Sequence, residues 1–247
     1  MRLIADLVPA EPALGLALEE ALFESVCATG PDTLRLWVNR RSIVVGRSQF
    51  VSVEVDLEAA ARLNVPVLRR ISGGGTVYHY PGNLNVSLFL RNGSWLGNVE
   101  SVFHLFGGII SLELTQLGIE MRPCANRLMV GGRKIAGAAQ VRRGRAILYH
   151  TTLLVEPDVI DMGVFLRAMG EDYRPSGVAS RPCPTTTLRQ AGGRTVTLET
   201  AGRLLIGPIA RSIGCCVYEK GLTPTERRRA EELERVKYWS DEWNRFR

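Results

Sequence analysis

The sequence predicts an α/β (α+β) fold, a mixed and largely antiparallel central β-sheet flanked by helices. Three observations predict it. Apolar residues recur at helical spacing over 12–27, 99–117 and 224–238. Period-two alternation marks strands at 34–38 and 83–90, the second with Leu84, Val86, Leu88 and Leu90 on one face. Glycine turns at Gly131-Gly132 and Arg143-Gly144 make hairpins, and hairpins with few helical crossovers give a mixed sheet, not a parallel one.

In order, Pro12 suits the first turn of a helix whose stripe is Leu14, Leu18, Ala21, Leu22 and Ser25. Strands follow at 34–38 and 42–45. Asp56 caps a short helix through Leu63, and Asn64 ends it in the left-handed conformation. A short strand precedes residue 70 and another covers 83–90, with a turn at 91–94 and a long helix that Gly118 stops. After the hairpin at 128–135 and a strand at 146–155, a helix is predicted over 158–169. The Pro-, Ser- and Thr-rich stretch to residue 188 reads as loop. A helix at 198–212 precedes a short strand at 215–217. Thr223, Pro224 and Glu226 then form the capping box of a last helix. The 247 residues, with neither repeat nor low-complexity linker, are expected to form a single domain, 1–247, with no C-terminal accessory domain.

Composition excludes several classes. No stretch reaches membrane-spanning length, and the N-terminus lacks a signal-peptide pattern. Five cysteines, odd in number and without zinc spacing, point to reduced thiols and a cytoplasmic protein, with no metal site. The net charge of +6 invites a nucleic-acid partner, but the arginines are dispersed and no aromatic-basic platform accompanies them. The same charge suits an acidic protein partner.

Two stretches carry chemistry. In Arg69-Arg70-Ile71-Ser72-Gly73-Gly74-Gly75-Thr76-Val77-Tyr78-His79, three successive glycines suit close backbone approach to a ligand, and their N–H groups suit a phosphate or carboxylate. A flexible loop with two solvated arginines is the alternative. In Gly132-Arg133-Lys134-Ile135-Ala136-Gly137-Ala138-Ala139-Gln140, a lysine stands in a chain whose 31 basic residues include only Lys134, Lys220 and Lys237. Lysine supplies a compact point charge suited to one acyl or phosphate oxygen. A surface lysine beside a hairpin turn is the alternative.

Together, at this order and spacing, the two motifs resemble the lipoate–protein ligase A and octanoyltransferase family, whose catalytic fold is shared with the biotin ligases. The resemblance spans 14–244 and includes Gly46-Arg47-Ser48-Gln49, Val178 to Arg181, and the closing Trp243-Asn244. It implies ATP-dependent activation of lipoate or octanoate as acyl-AMP, with Mg²⁺ arriving with ATP, and transfer to a lysine of an acidic lipoyl-carrier domain. A separate accessory ligase subunit is a possible partner; nucleic acid and membrane are not.

By the same resemblance, Lys134 stabilises the reacting acyl group. Arg70, Gly75, Thr76, Val77, Tyr78 and Lys134 hold the adenylate, and Arg47, Gly73, Gly74, His79, Gly137 and His150 form the acyl pocket. Arg181 is a further candidate for an anionic group. Two departures stand out: Tyr80 follows His79 where the family's ligases have aspartate, and Arg127 follows Asn126 where they have another. Cys124 occupies a loop that carries a nucleophilic cysteine in some octanoyltransferases of this fold. Octanoyl transfer from acyl carrier protein, through Cys124 or directly, is therefore an alternative, and a non-catalytic acyl- or lipoyl-domain-binding protein a third.

Overall fold

The structure is a computed structural model and describes residues 1–192 and 196–246. Its strands and helices, in order, are β1 (Arg2–Ala10), α1 (Pro12–Ala28), β2 (Thr33–Asn39), β3 (Ser42–Val45), α2 (Val51–Glu54), α3 (Leu57–Arg62), β4 (Val67–Arg69), β5 (Val77–His79) and β6 (Asn83–Leu90). There follow α4 (Val99–Thr115), β7 (Arg122–Cys124), β8 (Arg127–Val130), β9 (Arg133–Arg143), β10 (Ala146–Leu154), α5 (Leu188–Gly192), α6 (Leu198–Ser212), β11 (Tyr218–Glu219), α7 (Pro224–Leu233) and α8 (Asp241–Asn244). Among the described residues the main sheet runs β11-β1-β2-β6-β10-β9-β8-β7, and a small sheet runs β4-β3-β5. β1 pairs in parallel with β2 and β11; from β2 to β7 every pairing is antiparallel. The mixed, largely antiparallel sheet is as expected.

The two faces of the main sheet differ. Leu34, Leu36, Leu84, Val86 and Leu88 point to one side and form the largest core with Val102, Phe106 and Ile110 of α4 and Leu205 and Ile209 of α6. The other face carries polar residues and looks toward α1 and the small sheet. A second core under the small sheet gathers Ile43, Val45, Tyr78, Tyr80 and Phe165.

Local signals explain most elements. Asp56 accepts from Ala59 N at 2.8 Å, Asn64 has φ 52°, and the Thr223–Glu226 capping box forms. Gly131 and Gly132, at φ 53° and 77°, make the two-residue hairpin turn between β8 and β9 that right-handed strand twist favours.

Two expectations are corrected, and one strand is new. β1 has no counterpart in the reading of the sequence; Asp6 and Pro9 interrupt its alternation, and its register with β2 shifts between Asp6 and Ala10. The helix expected over 158–169 is replaced by two 3₁₀ turns, Met162–Val164 and Arg167–Met169. Asp158 is instead tied to Arg41 (2.6 and 3.0 Å) and to the Tyr78 hydroxyl (2.7 Å), while Phe165 is drawn fully into the second core. The last short strand lies at Tyr218–Glu219, just beyond 215–217. No helix among the described residues is long and apolar enough to cross a membrane.

Candidate active site

The polar face of the main sheet floors a cavity of about 490 Å³. Register builds that floor in two cross-strand rows. Trp37, Asn85, Thr152 and Gly137 lie side by side across β2, β6, β10 and β9; Ser87, His150 and Ala139 form the next row. All seven line the cavity. Trp37 Nε1 donates to Ser87 Oγ at 3.0 Å, and Thr152 Oγ1 donates to Asn85 Oδ1 at 2.8 Å. His79 Nε2 must then be the donor to Thr152 Oγ1 at 3.1 Å. Burial, assisted by nearby Arg70 and His150, lowers the His79 imidazole to about 3, so it is neutral at physiological pH.

The glycine segment crosses from β4 to β5 over this floor, and buried Arg70 shapes it from within. Arg70 Nη2 donates to Gly73 O (2.7 Å) and Gly75 O (2.8 Å), Nη1 to Val44 O (3.1 Å), and Nε to Ser72 Oγ (2.9 Å). Burial lowers its guanidinium to about 10, which leaves it charged. Gly74 has φ 87°, and a Cβ on Gly46 would lie 2.0 Å from Gly74 O, so both positions require glycine. The loop around Ser180 closes one side. Ser180 Oγ accepts from Thr76 N (2.9 Å) and Gln49 Nε2 (3.2 Å), and a Cβ on Gly75 would meet it at 3.0 Å.

Lys134 reaches the cavity from β9. Its backbone is clamped to the following loop, Lys134 N donating to Pro184 O (2.7 Å) and Thr186 N to Lys134 O (3.0 Å). Its side chain folds back over Gly137, where a Cβ would come within 2.8 Å of Nζ. The ammonium has neither a hydrogen bond nor an ion pair among the described residues. Burial lowers its pKa; Cys183 opposes that, while Arg127 and Arg70 add to it. A partly desolvated cation with no partner among the described residues, beside the glycine segment, can stabilise negative charge developing on an acyl or phosphoryl oxygen.

Of the residues singled out from the sequence, the structure brings Arg70, Gly74, Gly75, Thr76, Val77, His79, Lys134, Gly137 and His150 to this cavity, with Arg181 at its edge. Four lie elsewhere. Arg47 is exposed, its guanidinium 5.8 Å from the Trp243 ring, and only its backbone N–H reaches the glycine segment, at Ser72 O (2.9 Å). The Gly73 carbonyl is taken up by Arg70. Tyr78 alternates with Val77 and His79 along β5 and so points into the second core, with its hydroxyl on Asp158. Cys124 is exposed at the end of the outermost strand, 3.9 Å from Arg127 Nη2, outside the cavity lining. Arg69, the neighbour of Arg70, turns away and grips the C-terminal residues, donating to Trp243 O and Asn244 O. Asn85 and Ser87 are further members of the site, and the polar side of the alternation in β6 marks them. Glu19 and Trp37 carry no such signal. Among the described residues no three His, Cys, Asp or Glu side chains gather where they could hold a metal ion.

Residues 11–208 match the family described as lipoyl protein ligase A/B catalytic domain. The chain belongs to that family. This ligase-family enzyme is 28% identical over 257 residues to lipoate-protein ligase A subunit 1 of Thermoplasma acidophilum, covering 98% of this chain and 95% of that protein. It is also 28% identical over 244 residues to octanoyltransferase LipM of Symbiobacterium thermophilum, covering 87% and 86%. A stretch of 148 residues is 45% identical to a relative from Aeropyrum pernix and spans 60% of this chain and 55% of that one. Among solved structures, a T. acidophilum protein with bound lipoic acid superposes with a TM-score of 0.85 at 26% identity, covering 100% and 99% of the two chains. A lipoate-protein ligase A bound with ATP gives 0.83 at 26% identity, covering 99% and 98%.

Proposed function

We propose that the enzyme activates lipoate or octanoate with ATP as acyl-AMP and transfers the acyl group to a lysine of a lipoyl-carrier domain. The observation that carries this reading is the half-buried Lys134 ammonium, unpartnered among the described residues, held over Gly137 and facing the same cavity as the glycine segment. The acyl carboxylate attacks the α-phosphorus and pyrophosphate leaves; Lys134 offsets the charge shared by the two groups. The carrier amine then attacks the acyl carbonyl and AMP leaves, with Lys134 next to the oxygen that becomes negative. Arg70 holds the Gly73 and Gly75 carbonyls and so fixes the shape of the glycine segment, donating most of its own N–H groups to the protein. Mg²⁺, entering with ATP, neutralises phosphate charge.

The partner side is read from the cavity's edge. Arg127 and Arg181 line it without a carboxylate partner among the described residues, which suits an acidic carrier approaching in the cytoplasm. The T. acidophilum relative was solved as a bi-partite ligase with its E2 lipoyl domain. A separate accessory subunit is proposed here on that likeness, with no nucleic-acid or membrane partner.

The similarity to an octanoyltransferase supports a second reading, transfer from an octanoyl carrier thioester, but Cys124 lies outside the cavity lining. Mass spectrometry of an apo lipoyl domain decides between them. Lipoate plus ATP should add the lipoyl mass, and Cys124→Ser should do so as well as wild type. An octanoyl adduct on Cys124 without ATP, with no acyl-AMP formed from ATP, would overturn the ligase reading.

A further inference from the structure

Beneath the glycine segment, a line of polar side chains runs from β2 through α1 to the cavity. Arg35, 3% exposed, donates to Gly15 O at 2.9 Å and to Glu19 Oε1 at 3.5 Å. Glu19 is also 3% exposed and places its other oxygen 2.8 Å from His150 Nδ1. His150 Nε2 lies 2.7 Å from Ser72 Oγ, which accepts from Arg70 Nε at 2.9 Å. His150 lines the cavity, whereas Glu19 and Ser72 do not.

With the His150 ring neutral, the protons of this line have one consistent arrangement. Guanidinium groups only donate, so the line ends in a donor at Arg35 and another at Arg70. The Glu19 carboxylate accepts from both Arg35 and His150, which places a proton on Nδ1. The Ser72 hydroxyl, already an acceptor from Arg70, then gives its own proton to Nε2. Ser72 also opens the glycine segment, and its carbonyl holds Arg47 N at 2.9 Å.

We propose that Glu19 is a positioning residue, acting through His150. By fixing the Nδ1–H tautomer, it makes His150 an acceptor for Ser72 and ties the start of the glycine segment to the sheet floor. The acyl side and the nucleotide side of the cavity are thereby held in one register. The activity readout of this assignment rests on the ligase reading; its tautomer readout does not.

The test is Glu19→Gln. Arg35 can only donate, so the amide oxygen turns to Arg35 and the amide NH₂ faces His150. Nδ1 must then accept, and the proton moves to Nε2, which donates into Ser72 Oγ. The Ser72 proton is left without its acceptor. ¹⁵N NMR of histidine-labelled protein should show His150 change from the Nδ1–H to the Nε2–H form. With lipoate as the varied substrate, kcat/KM should fall by about ten- to a hundredfold, by analogy with the loss of the outer partner of a metal-bound histidine, and mainly through KM. Glu19→Asp, which keeps the carboxylate, should keep the Nδ1–H form and recover most of the loss. A changed tautomer with unchanged kinetics overturns the positioning role, and an unchanged tautomer overturns the proton arrangement. Equal impairment of Asp and Gln variants assigns the loss to packing and also overturns the proposal. If the Gln variant does not fold, Ser72→Ala takes its place: it should keep the Nδ1–H form yet raise KM, and an unchanged KM overturns the role. Wild type inert toward lipoate plus ATP, with the NMR result intact, would sink the ligase reading alone.

Discussion

At the scale of single residues, the chemistry turns on where one ammonium sits. Lys134→Ala should leave the fold intact, since the side chain joins no hydrogen bond among the described residues. Its loss should lower kcat by roughly 10²–10³, the usual effect of deleting one charge-stabilising donor. Lys134→Arg should fare little better, because a planar fork cannot place its charge at the same point above Gly137. Gly137→Ala is the sharper experiment. Its methyl would come within 2.8 Å of both Cε and Nζ of Lys134, so the flexible lysine end must move and the protein remain folded. Single-turnover kinetics should show a slowed chemical step with unchanged thermal stability; full activity of this variant would remove Lys134 from its assigned position. The rarity of lysine drew attention to Lys134 in the sequence. That Gly137 makes room for it was not legible, because the side chain's course back along β9 is set by the pairing of Lys134 with the loop at Thr185.

At the scale of elements, legibility followed locality. Helices with their own caps, such as α3 and α7, and the β8–β9 hairpin with its two left-handed glycines were readable, because the signal lies within a few residues. Strand β1 and the stretch 158–169 were not. The first depends on parallel partners far along the chain, and the second is diverted when Asp158 meets Arg41 and Tyr78. Arg69 shows the same limit. Beside Arg70 it reads as a second anion-binding arginine, yet it is fully buried and fastens three segments. Its Nη1 donates to the carbonyls of Gly46, Arg47 and Gln49, its Nη2 to Asn244 O, and its ring neighbour is Phe246 at 4.4 Å. Trp243 Nε1 and Asn244 Oδ1 bond back to the Arg69 backbone, which gives the closing Trp-Asn pair a structural task. Arg69→Met should therefore destabilise the protein by about 3 kcal/mol or more, since several buried carbonyls lose their donors together. Urea denaturation should show the midpoint shift, and a change under 1 kcal/mol, about what one exposed ion pair contributes, would contradict this account.

At the scale of the whole molecule, buried ionisable groups set the pH range in which the enzyme holds together. Glu226 joins three distant parts of the chain. It accepts two bonds from Arg2 on β1 at 2.8 Å each, one from Ser25 on α1 at 2.9 Å, and one from Thr223 N at 2.8 Å. Burial works against its charge, but Arg2, Thr223 and Ser25 outweigh it and hold the carboxyl at about 2. A folded-state value below the unfolded one means stability is fully present above the unfolded pKa and lost as pH falls through the folded value. For Glu226 that window runs from about pH 4.5 down to 2, and the loss across it is about 3 kcal/mol. His79 acts in the same direction over an earlier range. Burial holds it at about 3, so the unfolded chain takes up the proton first, and stability declines from about pH 6.5 downward. Acidification should therefore weaken the fold in two overlapping stages, measured as the urea midpoint from pH 7.5 to 3. Glu226→Gln should lower stability at neutral pH, because Arg2 stays buried without its charge partner, and should flatten the lower stage while leaving the upper one. A wild-type midpoint that stays constant from pH 7.5 to 3 would show that neither group carries the load assigned to it.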